Sequence, residues 1–357
     1  MSRLAFIALL AAPFVATAPA ATAAPKEPYG IGLEGFPYPH PVQFVSLTQD
    51  GEPVRMAYMD VPPKGAGNGR TALLLHGRNF PSSYWQPVIE ALTRAGWRVV
   101  VPDQVGFGKS SKPAGLPSFD MLARNTLALL DQLKIGEVEI IAHSMGGMLA
   151  VRIARTYPTR IHRMVLAAPI GLEDYRVYVP PVPTETLLAH EDALTPDGYR
   201  RQLMSAYAIK IAPDAITPFI DARMNIKGAA DYPRWLRAFV NSYQMIYREP
   251  VVHEIPLVTQ PTLFIMGADD RNAPGRPYAP EAIRDRMGDN TRHAQQLAAK
   301  MSAGRVEVIE NAGHLVFLDA TARFNELMLS FLQAPALGAW RSLDEPGGPS
   351  RSLTKEP

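Results

Sequence analysis

Six short apolar runs, at residues 72–75, 98–101, 138–142, 164–167, 262–266 and 306–309, recur along the chain with helical patterns between most of them. Each run has the length of a buried strand and is too short for a helix. Their alternation with helical segments predicts an α/β fold, a mostly parallel twisted sheet flanked by helices. Residues 42–61 read as two further strands joined at Asp50-Gly51, a dipeptide suited to a tight hairpin, so an antiparallel edge begins the sheet. Two helical faces are also legible: Leu122, Thr126, Leu129, Leu130 and Leu133 before Gly136, and Phe324, Leu327, Met328 and Phe331 near the end.

At 357 residues, 47% of them hydrophobic, the chain can bury one large core with an insertion. The spacing predicts a first core part over 25–170, a helical cap over 171–256, a second core part over 257–334 and a disordered tail over 335–357. In the cap, Thr195-Pro196 reads as an N-cap and first helical residue, while Trp235, Phe239 and Tyr243 repeat every four residues. Such a stripe, like Tyr175 and Tyr178, either packs in the core or lines a pocket. The stretch 276–303, with a helix over 290–301, is expected at the entrance of the site.

Residues 1–24 have the charged, apolar and small-residue sections of a secretory signal peptide, with cleavage expected near Ala23 or Ala24. The rival reading, a membrane anchor, is opposed by the short apolar run and by Pro13. A periplasmic or secreted protein is the expectation. The chain has no cysteine, which excludes disulfides, thiol nucleophiles and Cys-ligated metals. A net charge of +2 without a long basic run gives no electrostatic footprint for nucleic acid, so a small-molecule substrate is expected as partner.

The chemistry concentrates at Ile140-Ile-Ala-His-Ser144-Met-Gly146-Gly147, where an apolar strand runs through a serine into a helical pattern. A serine on so sharp a turn is backbone-strained and needs small neighbours two residues to either side, here Ala142 and Gly146. The turn exposes its hydroxyl, and the N–H of Met145 at a helix N-terminus points toward a developing oxyanion. A serine needs a base within hydrogen-bond reach. His314, just past the last strand run, falls on the same sheet edge; His143, His162, His40, His190, His253 and His293 read as lone exposed histidines.

Together with Leu73-Leu-Leu-His76-Gly77-Arg78-Asn79 and Thr262-Leu-Phe-Ile-Met-Gly267-Ala-Asp269-Asp270, these motifs resemble the α/β-hydrolase superfamily from about residue 42 to 332. The consensus glycine two residues before the serine is Ala142 here. The resemblance implies that Ser144 is the nucleophile and His314 the base. It implies Asp270, three residues after the glycine, as the orienting acid in preference to Asp269. It further implies that Arg78, or second Asn79, supplies the other oxyanion N–H, and that His76 is structural. Asp103, in Val101-Pro-Asp103-Gln-Val-Gly106-Phe-Gly108-Lys-Ser110, shapes its loop. Gly108-Lys-Ser110 is no phosphate loop, because Asp103 stands where a glycine is required.

No metal motif, dinucleotide fingerprint or cofactor is indicated. The expected activity is hydrolysis of a small-molecule carboxylic ester through an acyl-enzyme on Ser144. The alternatives are carbon–carbon or amide cleavage by the same triad, and a ligand-binding relative without turnover. Halide and epoxide chemistry in this family starts from an aspartate, which Ser144 disfavours. The side chain of Arg78 either attracts an anionic substrate or faces solvent.

Overall fold

The computed structural model describes residues 28–335. The proposed signal peptide over 1–24 and the proposed tail beyond residue 335 lie outside the described residues. Eight strands form one sheet: β1 (Val42–Gln49), β2 (Glu52–Val61), β3 (Thr71–Leu75), β4 (Arg98–Pro102), β5 (Val138–His143), β6 (Ile161–Ala167), β7 (Thr262–Gly267) and β8 (Gly304–Ile309). Their order across the sheet is β1-β2-β4-β3-β5-β6-β7-β8. From β4 onward every pairing is parallel, while β1 and β2 form the antiparallel edge. The hairpin closes where expected: Gln49 faces Glu52, and Asp50 and Gly51 both have positive φ, the geometry of a two-residue turn whose twist matches its strands.

Every residue of β5 and of β7 is buried, whereas the edge strands β1 and β8 are only partly covered. Continuous apolar runs therefore mark the middle of the sheet and weaker patterns its margins. Alternate residues feed two cores: Leu73, Leu75 and Ile140 point to one face, Ala72, Leu74 and Ile141 to the other. The first face packs against α2 (Phe119–Gln132), α3 (Met145–Thr156) and α9 (Asn290–Ala298). The second packs against α1 (Gln86–Arg94), α10 (Val316–Asp319) and α11 (Thr321–Gln333). Ser118 starts α2 by accepting a hydrogen bond from the Met121 N–H at 3.1 Å.

Between β6 and β7 the chain runs through four helices, α4 (Thr184–Asp192), α5 (Pro196–Ala206), α6 (Pro213–Asn225) and α7 (Tyr232–Arg248). Thr195 caps α5 through its hydroxyl and Pro196 occupies the first position. Between β7 and β8 lie the short α8 (Glu281–Arg284) and α9. The segment ahead of β1 is built into the fold: Leu33 and Phe36 pack on Ala222 of α6 and on Ile226 just past its end, and the Tyr38 hydroxyl donates to Asp103 at 2.6 Å. No helix among the described residues is long and apolar enough to cross a membrane.

Candidate active site

Ser144 links β5 to α3 with φ 55° and ψ −121°, a conformation costly for a residue with a side chain. Close packing holds it there. A Cβ on Gly146 would lie 2.3 Å from the Leu75 carbonyl, and one on Gly77 would lie 3.0 Å from the Ser144 Cβ. The turn thus has no room to relax, which is why small residues surround it. Met145 opens α3, so its N–H has no acceptor within the helix and faces outward at the positive end of the dipole.

His314 reaches the same edge from the loop after β8. Its Nε2 accepts from the Ser144 hydroxyl at 2.9 Å, and its Nδ1–H donates to Asp270 Oδ2 at 3.0 Å. Both His314 and Asp270 are wholly buried. The other oxygen of Asp270 accepts the Asn272 N–H at 2.9 Å, so the carboxylate is held from both sides. Asp269 points away, half-exposed and paired with Lys210 at 2.8 Å. The structure thus brings Ser144, His314 and Asp270 together and leaves Asp269 out.

The histidine loop is clamped from the inserted helices. The His314 N–H donates to the Tyr207 carbonyl at 2.7 Å, and a Cβ on Gly313 would lie 2.2 Å from that oxygen. Asp319 ties both sides, accepting from the N–H groups of Gly313, Lys210 and Ile211. Burial raises its pKa against those three donors. Asn272 Nδ2 lies 3.2 Å from His314 Nε2, beside the serine. Sequence reasoning missed Asn272, Tyr207 and Asp319. Asn272 and Asp319 stand two and five residues past Asp270 and His314, but their partners are far away in sequence.

Two other buried histidines are structural. His76 accepts the Gln104 N–H at Nε2 and meets the Gly77 carbonyl at Nδ1, which fixes a neutral Nδ1–H ring. His143 is buried, contrary to its reading as an exposed histidine. The Gly77 N–H donates to the Tyr84 oxygen, Tyr84 donates to His143 Nδ1 at 3.0 Å, and His143 Nε2–H donates to the His314 carbonyl at 2.9 Å. Burial, then the nearby charge of His314, pushes its pKa well below the ordinary value. Asp103 organises its loop by accepting from the N–H groups of Ser82 and Lys109 and from Tyr38.

Comparison with known proteins agrees with this fold. Residues 73–226 match the model of the alpha/beta hydrolase fold family. A solved structure from Pseudomonas aeruginosa PAO1, described as a "probable hydrolytic enzyme", is 37% identical with a TM-score of 0.82, covering 86% of this chain and 99% of that one. The chain belongs to the α/β-hydrolase superfamily. A Burkholderia vietnamiensis protein named 2-hydroxy-6-oxononadienedioate/2-hydroxy-6-oxononatrienedioate hydrolase is 28% identical over 82% of this chain and 95% of its own length. An esterase from Exiguobacterium antarcticum shares the fold, with a TM-score of 0.63 at 18% identity, covering 82% of this chain and all of that one.

In this hydrolase a cavity of about 500 Å³ opens onto Ser144. Its floor is the strand edge and its walls come from α4, α5, α7 and the stretch after β7. Tyr243 and Tyr278 line it, whereas Tyr175 is buried and accepts the Gly171 N–H at 2.9 Å. Arg276, Tyr278 and Arg284, from the stretch expected at the entrance, line it too, but α9 packs on the sheet instead. The Arg78 side chain does not face solvent: Nε donates to the Ser242 hydroxyl at 2.9 Å, Nη2 donates to the Phe239 carbonyl at 3.0 Å, and the guanidinium stacks 3.7 Å from the Phe239 ring. It joins the loop after β3 to α7.

Proposed function

We propose that this hydrolase cleaves a small-molecule carboxylic ester by acyl transfer through Ser144. The observation that carries the reading is the buried relay of Ser144 hydroxyl, His314 and Asp270, spaced at 2.9 and 3.0 Å beneath a cavity that reaches the serine. As Ser144 attacks the carbonyl carbon, His314 Nε2 takes the hydroxyl proton. Asp270 keeps the ring in the Nδ1–H tautomer and stabilises the imidazolium. The oxyanion accepts from the Met145 N–H and the Arg78 N–H. His314 then protonates the leaving alcohol, and a water activated by the same ring releases the acid.

Export is part of the proposal, supported by the charged, apolar and small-residue order of residues 1–24. A second reading keeps the triad and cleaves a carbon–carbon bond next to a ketone. What favours it is the dienedioate hydrolase, which aligns over 95% of its length.

The test is hydrolysis of short nitrophenyl esters together with labelling by a fluorophosphonate probe. Wild type should turn over and be labelled; Ser144→Ala should lose labelling and on the order of 10⁴-fold or more in kcat. Labelling without ester turnover on any chain length would move the assignment to the second reading. Failure to label would leave a ligand-binding protein without turnover.

A further inference from the structure

Behind the cavity wall, two guanidiniums share one carboxylate. Glu191 of α4 accepts from Arg78 at 3.4 Å and from Arg223 of α6, and all three side chains are largely buried. Burial acts to raise the Glu191 pKa, but the charges of Arg223 and then Arg78 overcome it and leave it below the ordinary value. One positive charge of the cluster therefore has no counterion among the described residues. Phe239 lies between the two cations, 3.7 Å from Arg78 and 4.2 Å from Arg223, and its ring offsets part of the deficit. The remainder is unfavourable for a buried charge and would be relieved by an anion.

The cavity supplies the place. Arg78 spends Nε and Nη2 on Ser242, Phe239 and Glu191, while its Nη1 has no protein acceptor among the described residues. Arg78 and Ser144 line the same cavity. So does Tyr243, whose buried hydroxyl has no hydrogen-bond partner among the described residues. Burial raises the Tyr243 pKa, and the phenol remains a donor. Glu191, already engaged, is the only acid among the lining residues, whereas Arg271, Arg276 and Arg284 line the cavity as well. Arg276 pairs with the exposed Asp285 at 3.5 Å, whereas the hydrogen bonds of Arg271 and Arg284 go to backbone carbonyls, so their charges raise the potential at the mouth and draw anions inward.

We propose that the cavity selects substrates carrying a carboxylate, which accepts hydrogen bonds from Arg78 Nη1 and the Tyr243 hydroxyl while the ester carbonyl meets Ser144. The proposal rests on the acyl-transfer reading and adds the substrate's charge to it. Neither donor is a catalytic residue through these side-chain atoms. Changing the Arg78 side chain removes no backbone N–H, and turnover of the uncharged esters reports whether the loop keeps its place.

The experiment measures kcat/KM for two matched pairs of esters. One pair puts the charge on the acyl side, mono-nitrophenyl adipate against the nitrophenyl ester of the isopropyl-ended acid of equal length. The other puts it on the leaving group, para-acetoxybenzoate against para-isopropylphenyl acetate. Each is assayed with wild type, Arg78→Met and Tyr243→Phe, so that intrinsic reactivity cancels between proteins. Arg78→Met leaves Glu191 and Arg223 as a balanced pair, and Tyr243→Phe removes a hydroxyl without a partner, so both variants should fold.

The expected result is that wild type favours the charged member of one pair by on the order of 10- to 100-fold over the most depleted variant, as a charge-assisted hydrogen bond requires. Most of that preference should vanish in Arg78→Met and a smaller part in Tyr243→Phe, chiefly through KM. Preference for the charge in neither pair, or a preference that survives both variants, overturns the proposal. Fluorophosphonate labelling separates the failures: a labelled Ser144 with no charge preference sinks this inference alone, and an unlabelled one removes the acyl-transfer reading with it.

Discussion

The strand edge bearing Ser144 and His314 and the inserted helices facing it are held in place by different forces. At the edge, backbone meets backbone. Gly146 closes on the Leu75 carbonyl, Gly313 on that of Tyr207, and Gly267 on that of Gly313, with no space for a Cβ at any of them. Apart from the α5–α6 connection, which meets Gly313, His314 and Asp319, the helices across the cavity are joined to the core by side chains, through Arg78, Glu191, Arg223 and the ring of Phe239. Shape fixes Ser144 and His314, while charge and aromatic contact fix the opposite wall of the cavity. The first arrangement tolerates few substitutions.

The sharpest way to break this contrast lies within the edge itself, at two adjacent acids. Asp270→Asn should lower kcat on the order of 10⁴-fold by losing the tautomer that points a lone pair at Ser144. Asp269→Asn removes a half-exposed pair with Lys210 and should stay within about twofold. The reverse pattern in nitrophenyl ester kinetics would assign the other acid.

The inserted helices should respond in stability before chemistry. Glu191→Gln leaves Arg78 and Arg223 buried without a counterion and should cost about 3 to 5 kcal/mol in denaturant unfolding. Arg78→Met, which leaves a balanced pair, should cost less. Equal losses would mean that packing, and not charge, holds this wall.

The smallest effect returns to the edge and tests how dry it is. His143 titrates below its ordinary value of 6.5 in the folded protein, so the unfolded chain binds the extra proton as pH falls. Its stabilisation is complete above about pH 6.5 and is lost on acidification, about 1 kcal/mol between pH 6.5 and 5.5. Glu173, Glu249 and Asp319, raised by burial, pull the opposite way. The difference between wild type and His143→Gln isolates the histidine. A difference independent of pH would mean that water reaches the ring.

Much of the edge was legible because local rules wrote it. An apolar run of strand length followed by a serine and two glycines admits few structures, and β5 and α3 meet at Ser144 as expected. The same holds for the Asp50-Gly51 turn and the Thr195 cap, since each depends on residues within a few positions. His143 was misread because its burial comes from Tyr84 and His314, 59 and 171 residues away. Asn272 and Asp319 escaped notice although they lie beside recognised motifs, because their roles exist only once His314 and the α5–α6 connection arrive.

By itself the sequence determined the strand order along the chain, the strained serine and the candidate base, because period, turn chemistry and small residues act over short distances. Only the tertiary structure decided between Asp270 and Asp269, placed Asn272 against His314, and turned Arg78 from solvent toward Glu191 and Phe239. Those outcomes depend on which groups lose their water and which charges come to share a buried space, and that is settled when distant segments pack.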